Sequence, residues 1–256
     1  MLERIYSQIY KSRVSIKRNS FRLADLTIWP LLYLFPLTFF VTYMGSDESF
    51  LHLIILGMIG WRMVYFINHE MIGLYVEEYW SKSLPHLMLS PISRLEYSLG
   101  AALAGLLKGS FVTVLYLALT YFMYGFWITD WATFLLGMFF LALVSLILGF
   151  FLLGVAYYIK SKEDAFSVGF IIPDALVLLS GVYFSIESVY PDYLLPYIRL
   201  LPSTHAFDVL KSMLGFAQAD MPMLVATTSV WLVIAYMFNT YMFELARKSG
   251  KLTRLG

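Results

Sequence analysis

The sequence has no cysteine, which excludes disulfides, thiolate metal sites and a cysteine nucleophile. Charge is also scarce. Asp, Glu, Lys and Arg make up 14% of the 256 residues, against 60% hydrophobic residues and a mean hydropathy of +0.72. An ordinary soluble fold does not have that ratio, so the solvent for this chain is a lipid bilayer. The formal net charge of +1 leaves no broad cationic face of the kind that phosphate neutralisation requires, and no nucleic-acid partner is expected. No Gly-x4-Gly-Lys-Ser/Thr loop occurs, so the chain does not hold ATP by a Walker motif. His69-Glu70 lacks the second histidine that a zinc-binding helix places four residues on. His52, His86 and His205 fall near predicted membrane surfaces, and no Ser-His-Asp cluster can be assembled. Neither a metal site nor a catalytic residue is expected.

Long apolar runs take their place. A helix needs about 20 mostly apolar residues to cross the hydrocarbon core. Residues 26–46, 131–159 and 221–243 meet that length without a charge, and 97–126 contains only Lys108. Two further runs are interrupted, 50–72 by Arg62, with His69-Glu70 near its cytoplasmic end where water or a headgroup can serve the pair, and 165–186 by Asp174. A central charge costs roughly 2.5–3.5 kcal/mol on the insertion scale and each Leu, Ile, Phe or Val returns about 0.3–0.6, so both can insert. The expectation is an all-α integral membrane protein with six spans, forming a single transmembrane domain over residues 25–247.

Orientation follows from the connections. With the N-terminus inside, 14 basic residues lie in the cytoplasm and only Arg199 and Lys211 outside, so both termini are expected inside. Residues 1–24 hold six basic residues and no continuous apolar stretch, and no cleaved signal peptide is expected. Their periodicity predicts an amphipathic helix on the inner leaflet, with Leu2, Ile5, Tyr6, Ile9, Tyr10 and Ile16 on one side. The connection 73–96 is too long for a simple turn and predicts a short cytoplasmic helix ending near Pro85, then a turn at Ser90-Pro91. The outer segment 187–220 predicts short helices dipping into the outer leaflet, the second capped by Ser203 or Thr204. Residues 248–256 are a cytoplasmic tail.

Three charges lie at similar depth in the membrane: Arg62, Lys108 and Asp174. Such residues face protein, water or one another, so Asp174 is expected to neutralise Arg62 or Lys108, leaving the other cation facing a wet path. Ala101, Gly105 and Gly109 place a small residue at every fourth position, a stripe suited to close helix packing.

Two stretches carry a family resemblance. The first runs from Glu77, Glu78, Tyr79 and Trp80 through Pro85 to Ser90-Pro91-Ile92-Ser93. The second combines Ser180-Gly181 and Phe184-Ser185 with Leu201-Pro202-Ser203-Thr204-His205. Together with the span layout they resemble the permease subunits of ABC-2 type ABC exporters, which share the type V exporter fold. Ser185 stands where that family often has proline. The resemblance implies a second permease copy, as in a homodimer, and two separate ATPase subunits, which would carry the ATP and Mg; no cofactor is implied on this chain. It implies that the N-terminal helix and Glu77, Glu78, Tyr79, Trp80, Pro85, Ser90 and Pro91 couple to the ATPase. Spans one, two and five would line the path, and the localisation would be the cytoplasmic (inner) membrane. The turn around Thr204 resembles the drug, lipid and nodulation-oligosaccharide branches more than the O-antigen branch, which implies an amphiphilic, lipid-linked or glycoconjugate substrate. The competing reading is a stand-alone secondary transporter or channel that uses Arg62, Lys108 and Asp174 for ions.

Overall fold

The computed structural model describes residues 2–83, 86, 90–159 and 162–249. These residues form ten helices and no strand, as lipid demands of a chain that must satisfy its backbone polar groups internally. In order they are α1 (Leu2–Arg18), α2 (Ser20–Tyr43), α3 (Glu48–Trp80), α4 (Arg94–Tyr124), α5 (Trp131–Tyr158), α6 (Lys162–Leu179), α7 (Ile186–Val189), α8 (Leu195–Ile198), α9 (Pro202–Ser212) and α10 (Met221–Lys248). Five of them, α2, α3, α4, α5 and α10, are long and apolar enough to cross a membrane. The sixth expected span, α6, has 18 residues but carries Lys162, Glu163, Asp164 and Asp174. At 1.5 Å per residue its length is about 27 Å.

The core is built around α3, which packs against α4, α5 and α6. Small residues set its closest approach. A Cβ at Gly105 would sit 2.6 Å from both the Phe66 carbonyl oxygen and the Ile67 Cα, and one at Gly109 would sit 2.8 Å from the Met63 sulfur. Ala101 is fully buried on the same face. The Ala101, Gly105, Gly109 stripe therefore lies against α3 of the same chain. Tyr116 on α4 donates a 2.5 Å hydrogen bond to the Pro30 carbonyl, and Tyr124 bonds Thr38 at 2.9 Å. Both contacts fasten the proline-containing α2 to its neighbour. On the opposite side, Asn239 of α10 donates to the Phe150 carbonyl of α5 at 3.0 Å.

Helix ends follow local chemistry. Ser93 and Glu96 form a capping box at the start of α4, each satisfying an otherwise unpaired backbone N–H. Asp130 caps α5, and the Thr133 hydroxyl and backbone N–H hold its carboxylate below the usual range.

Several expected boundaries move. The helix expected over the start of 73–96 is not separate, because α3 continues unbroken to Trp80. A lone glycine such as Gly73 costs a helix only about 1 kcal/mol, and nothing else in 74–80 breaks one. Pro85 and the rest of the expected helix end lie outside the described residues. The run 165–186 stops early, because Gly181 takes φ +58 and Val182 N–H bonds back to the Val177 carbonyl, a left-handed helix stop that suits glycine. The bend before residues 187–220 thus rests on Gly181, and Ser185 precedes α7 in an extended conformation. Neither Ser203 nor Thr204 caps α9: Pro202 occupies its first turn after Leu201. Ser203 instead receives a 2.6 Å hydrogen bond from Ser180, and Thr204 donates to the Ile198 carbonyl. Of the tail, Lys248 closes α10, and 250–256 lie outside the described residues.

The stripe expected on α1 is divided. Ile5, Gln8 and Ser12 are buried against the start of α4, where Gly100 lets Gln8 and the Ile5 carbonyl approach closely. Leu2, Tyr6 and Tyr10 remain exposed.

Candidate functional site

Among the described residues, polar groups of the helical core border two sizeable cavities and form a surface cluster. The smaller cavity, about 310 Å³, lies between α2, α3 and α4 and is bordered by Asp25, His69, Glu70 and Lys108. Lys108 makes an ion pair with Glu70, and both side chains are largely buried. The expected partner of Lys108 was Asp174 or none, so this pairing corrects the sequence reading. Glu70 Oε1 has no further hydrogen-bond partner, which leaves the lysine as its principal compensation. His69 packs its ring edge-on to Tyr65, with centroids 5.4 Å apart.

The larger cavity, about 510 Å³, lies between α2, α3, the C-terminal half of α6 and the turn after it. Tyr33, Phe40, Trp61, Tyr65 and Tyr183 wall it, and Arg62 and Asp174 are its two charged groups. Arg62 is 6% exposed. Its guanidinium carbon lies 4.1 Å from the centroid of the Tyr33 ring and 5.1 Å from that of Tyr65, a cation–π arrangement. Arg62 makes no ion pair within 4.0 Å among the described residues. Asp174 is exposed and also borders a narrow cleft with Tyr65, Asn68, His69 and Pro173. The two charges therefore share a chamber without touching.

The cluster gathers the first two helices around the end of α3. Lys11 pairs with Glu78, which also accepts from the Ser83 hydroxyl. Arg22 pairs with Glu77 at 2.8 Å. Arg4 donates to the Pro91 carbonyl at 2.5 Å and stands 3.4 Å from Glu96. Of the residues expected to meet a partner, Glu78 is thus buried and internally committed, Ser90 and Tyr79 are half-buried, and Trp80 is 53% exposed. Sequence reasoning missed Glu70, Tyr33, Tyr65 and Lys11 as partners. The adjacent carboxylates Glu77 and Glu78, facing a basic N-terminal segment, were the available signal for Lys11 and Arg22.

The family model for the ABC-2 type transporter matches residues 4–214. The chain belongs to the ABC-2 type transporter family. A comparison with curated proteins returns no match. The matched residues run from α1 to just beyond α9, so both cavities and the α1–α3 cluster lie within the part the ABC-2 chain shares with its family. ABC-2 membership makes it the membrane component of an ABC transporter, which works with an ATPase subunit. The walls of the larger cavity come from the first, second and fifth apolar runs.

Proposed function

We propose that this chain is the permease subunit of an ATP-driven exporter that moves an amphiphilic, lipid-linked or glycoconjugate substrate out of the cytoplasm. The observation that carries this reading is the larger cavity. It combines aromatic and aliphatic walls with one buried cation, as a group with an apolar body and a polar head would require. On α2, the cavity's wall residues Leu32, Tyr33 and Phe40, together with Phe39 and Tyr43, are more than half exposed, a face suited to lipid or to a second copy. A homodimer with two ATPase subunits, which hold the ATP and Mg, completes the transporter. Closure of the ATPases would then rock α2, α3 and α6 as rigid bodies.

In this reading α6 is the fifth of six spans and both termini lie in the cytoplasm of the inner membrane. The cysteine-free background makes that testable with single cysteines at Ser46, Ser83, Ser161, Ser188 and Ser249. An impermeant maleimide added to intact cells is expected to label positions 46 and 188 alone; labelling at 83 or 249 would reverse the topology.

Coupling is assigned to the exposed side of the α3 end and the sequence that follows it, with Trp80 as the apolar anchor and Glu77, Tyr79, Pro85, Ser90 and Pro91 as the further coupling residues. Glu78 holds α1 instead. Loss of a tryptophan anchor costs an interface about 2 kcal/mol, roughly thirtyfold in affinity. Trp80→Ala should therefore leave the permease folded while reducing ATPase capture by that order. Glu78→Ala should lower the melting temperature by freeing Lys11. Undiminished capture by Trp80→Ala would place docking elsewhere.

A further inference from the structure

We propose that Arg62 is the binding site for the anionic head of an amphiphile, a phosphate ester or carboxylate attached to an apolar chain. The inference deepens the export reading by naming the substrate class, and it rests on that reading only in taking the larger cavity as the path.

A buried guanidinium needs compensation, and Arg62 has little from charge. It is 6% exposed, and no described carboxylate lies within 4.0 Å. What it has are the faces of Tyr33 and Tyr65 at 4.1 and 5.1 Å. These rings stabilise a cation through their π faces and leave the guanidinium donors, which lie in its own plane, for other partners. The Tyr116 hydroxyl donates to the Pro30 carbonyl and accepts from Arg62, a neutral partner that takes one of the guanidinium's five N–H donors. The guanidinium borders a cavity of about 510 Å³, and a planar fork of donors matches a phosphate or carboxylate bidentately.

The walls argue for more than a free anion. Leu32, Leu37, Phe40, Met58 and Trp61 line the same chamber, and water gains nothing from apolar surface that a hydrocarbon chain would cover. Asp174 adds a restriction. It faces the chamber without pairing with Arg62, so it repels a second negative charge and accepts hydrogen bonds from hydroxyl or amine groups beside the anion. A singly anchored anion carrying donors on its far side fits both groups.

The test uses the purified full chain in neutral dodecyl maltoside micelles and follows thermal unfolding with added decyl phosphate, decyl glucoside or inorganic phosphate. A ligand that binds only the folded state raises the melting temperature saturably. Decyl phosphate should do so, whereas decyl glucoside and inorganic phosphate should not. Arg62→Gln should weaken the decyl phosphate effect roughly tenfold to a hundredfold, as loss of a charged hydrogen bond implies. Arg62→Lys should fall between, keeping the charge without the fork. Asp174→Asn, which leaves Arg62 in place, should strengthen decyl phosphate binding. No stabilisation of the wild-type chain, or equal stabilisation of Arg62→Gln, would overturn the site. An equal response to decyl glucoside would overturn the anion, and a response to inorganic phosphate alone would overturn the amphiphile. Failure here with normal ATPase capture removes only this inference. Arg62-dependent binding in a chain that never retains an ATPase removes only the export reading.

Discussion

Replacing Lys108 with methionine is expected to destabilise the protein by about 3–5 kcal/mol, because it leaves Glu70 as a buried carboxylate without its cation. The cost comes from the orphaned charge and not from a lost attraction, so deleting both partners should be far milder. Glu70 and Lys108 are both largely buried, and a buried pair replaced by apolar residues of similar volume is often neutral or stabilising. Lys108→Met combined with Glu70→Met should therefore regain most of the melting temperature. Lys108→Met combined with Asp174→Asn should regain none. Thermal unfolding of the three variants in micelles decides the pairing: rescue by the Asp174 change, or no rescue by the Glu70 change, would assign Lys108 another partner.

Lys211→Met should have a comparable effect where α9 meets the end of α6. Lys211 is 2% exposed and pairs with Asp208 at 2.6 Å. It also donates to the carbonyls of Gly181 and Phe184 at 3.2 and 3.3 Å. One ammonium thus neutralises a carboxylate and satisfies two backbone oxygens just beyond the C-terminal end of α6, where the helix dipole also favours a cation. Methionine fills the space and supplies none of this, so a loss of about 3–5 kcal/mol is expected. Asp208→Asn alone should cost less, because Lys211 keeps its two carbonyls. The decisive comparison is proteolysis between α6 and α9. Faster cleavage in Lys211→Met than in Asp208→Asn supports the clamp, and equal rates would reduce Lys211 to ordinary packing.

The long helices were legible because hydrocarbon permits little else: an uninterrupted apolar run of span length leaves the backbone one solution. Their ends were less so. The connection expected from Gly73 onward begins inside α3, whereas Gly181 does end its helix, and the difference is a positive φ that composition does not display. The close packing of Gly105 and Gly109 was readable from spacing, since small residues at i and i+4 share a face. The partner of Lys108 was not. The three charges in the apolar runs were compared by depth of backbone, yet helix side chains lean toward their own N-terminus. Gly105 lies against Ile67 and Gly109 against Met63, so α3 and α4 run in opposite directions. Lys108 and Glu70 therefore lean toward each other across a depth difference that backbone counting treated as separation. Glu70 was also assigned to the end of its span, where water would serve it. On α1, the side that became buried carries Gln8 and Ser12. Apolar periodicity could not find it, because Gly100 made room for a polar side chain.

The most direct measurement of the central claim is reconstitution of the chain in liposomes with its ATPase partner and a fluorescent amphiphile. ATP, and not an ion gradient, is expected to move the amphiphile away from the leaflet facing the ATPase, and Trp80→Ala should slow this roughly thirtyfold when the ATPase is limiting while leaving the protein inserted. A chain that moves the amphiphile under an ion gradient with no ATPase present would contradict that claim.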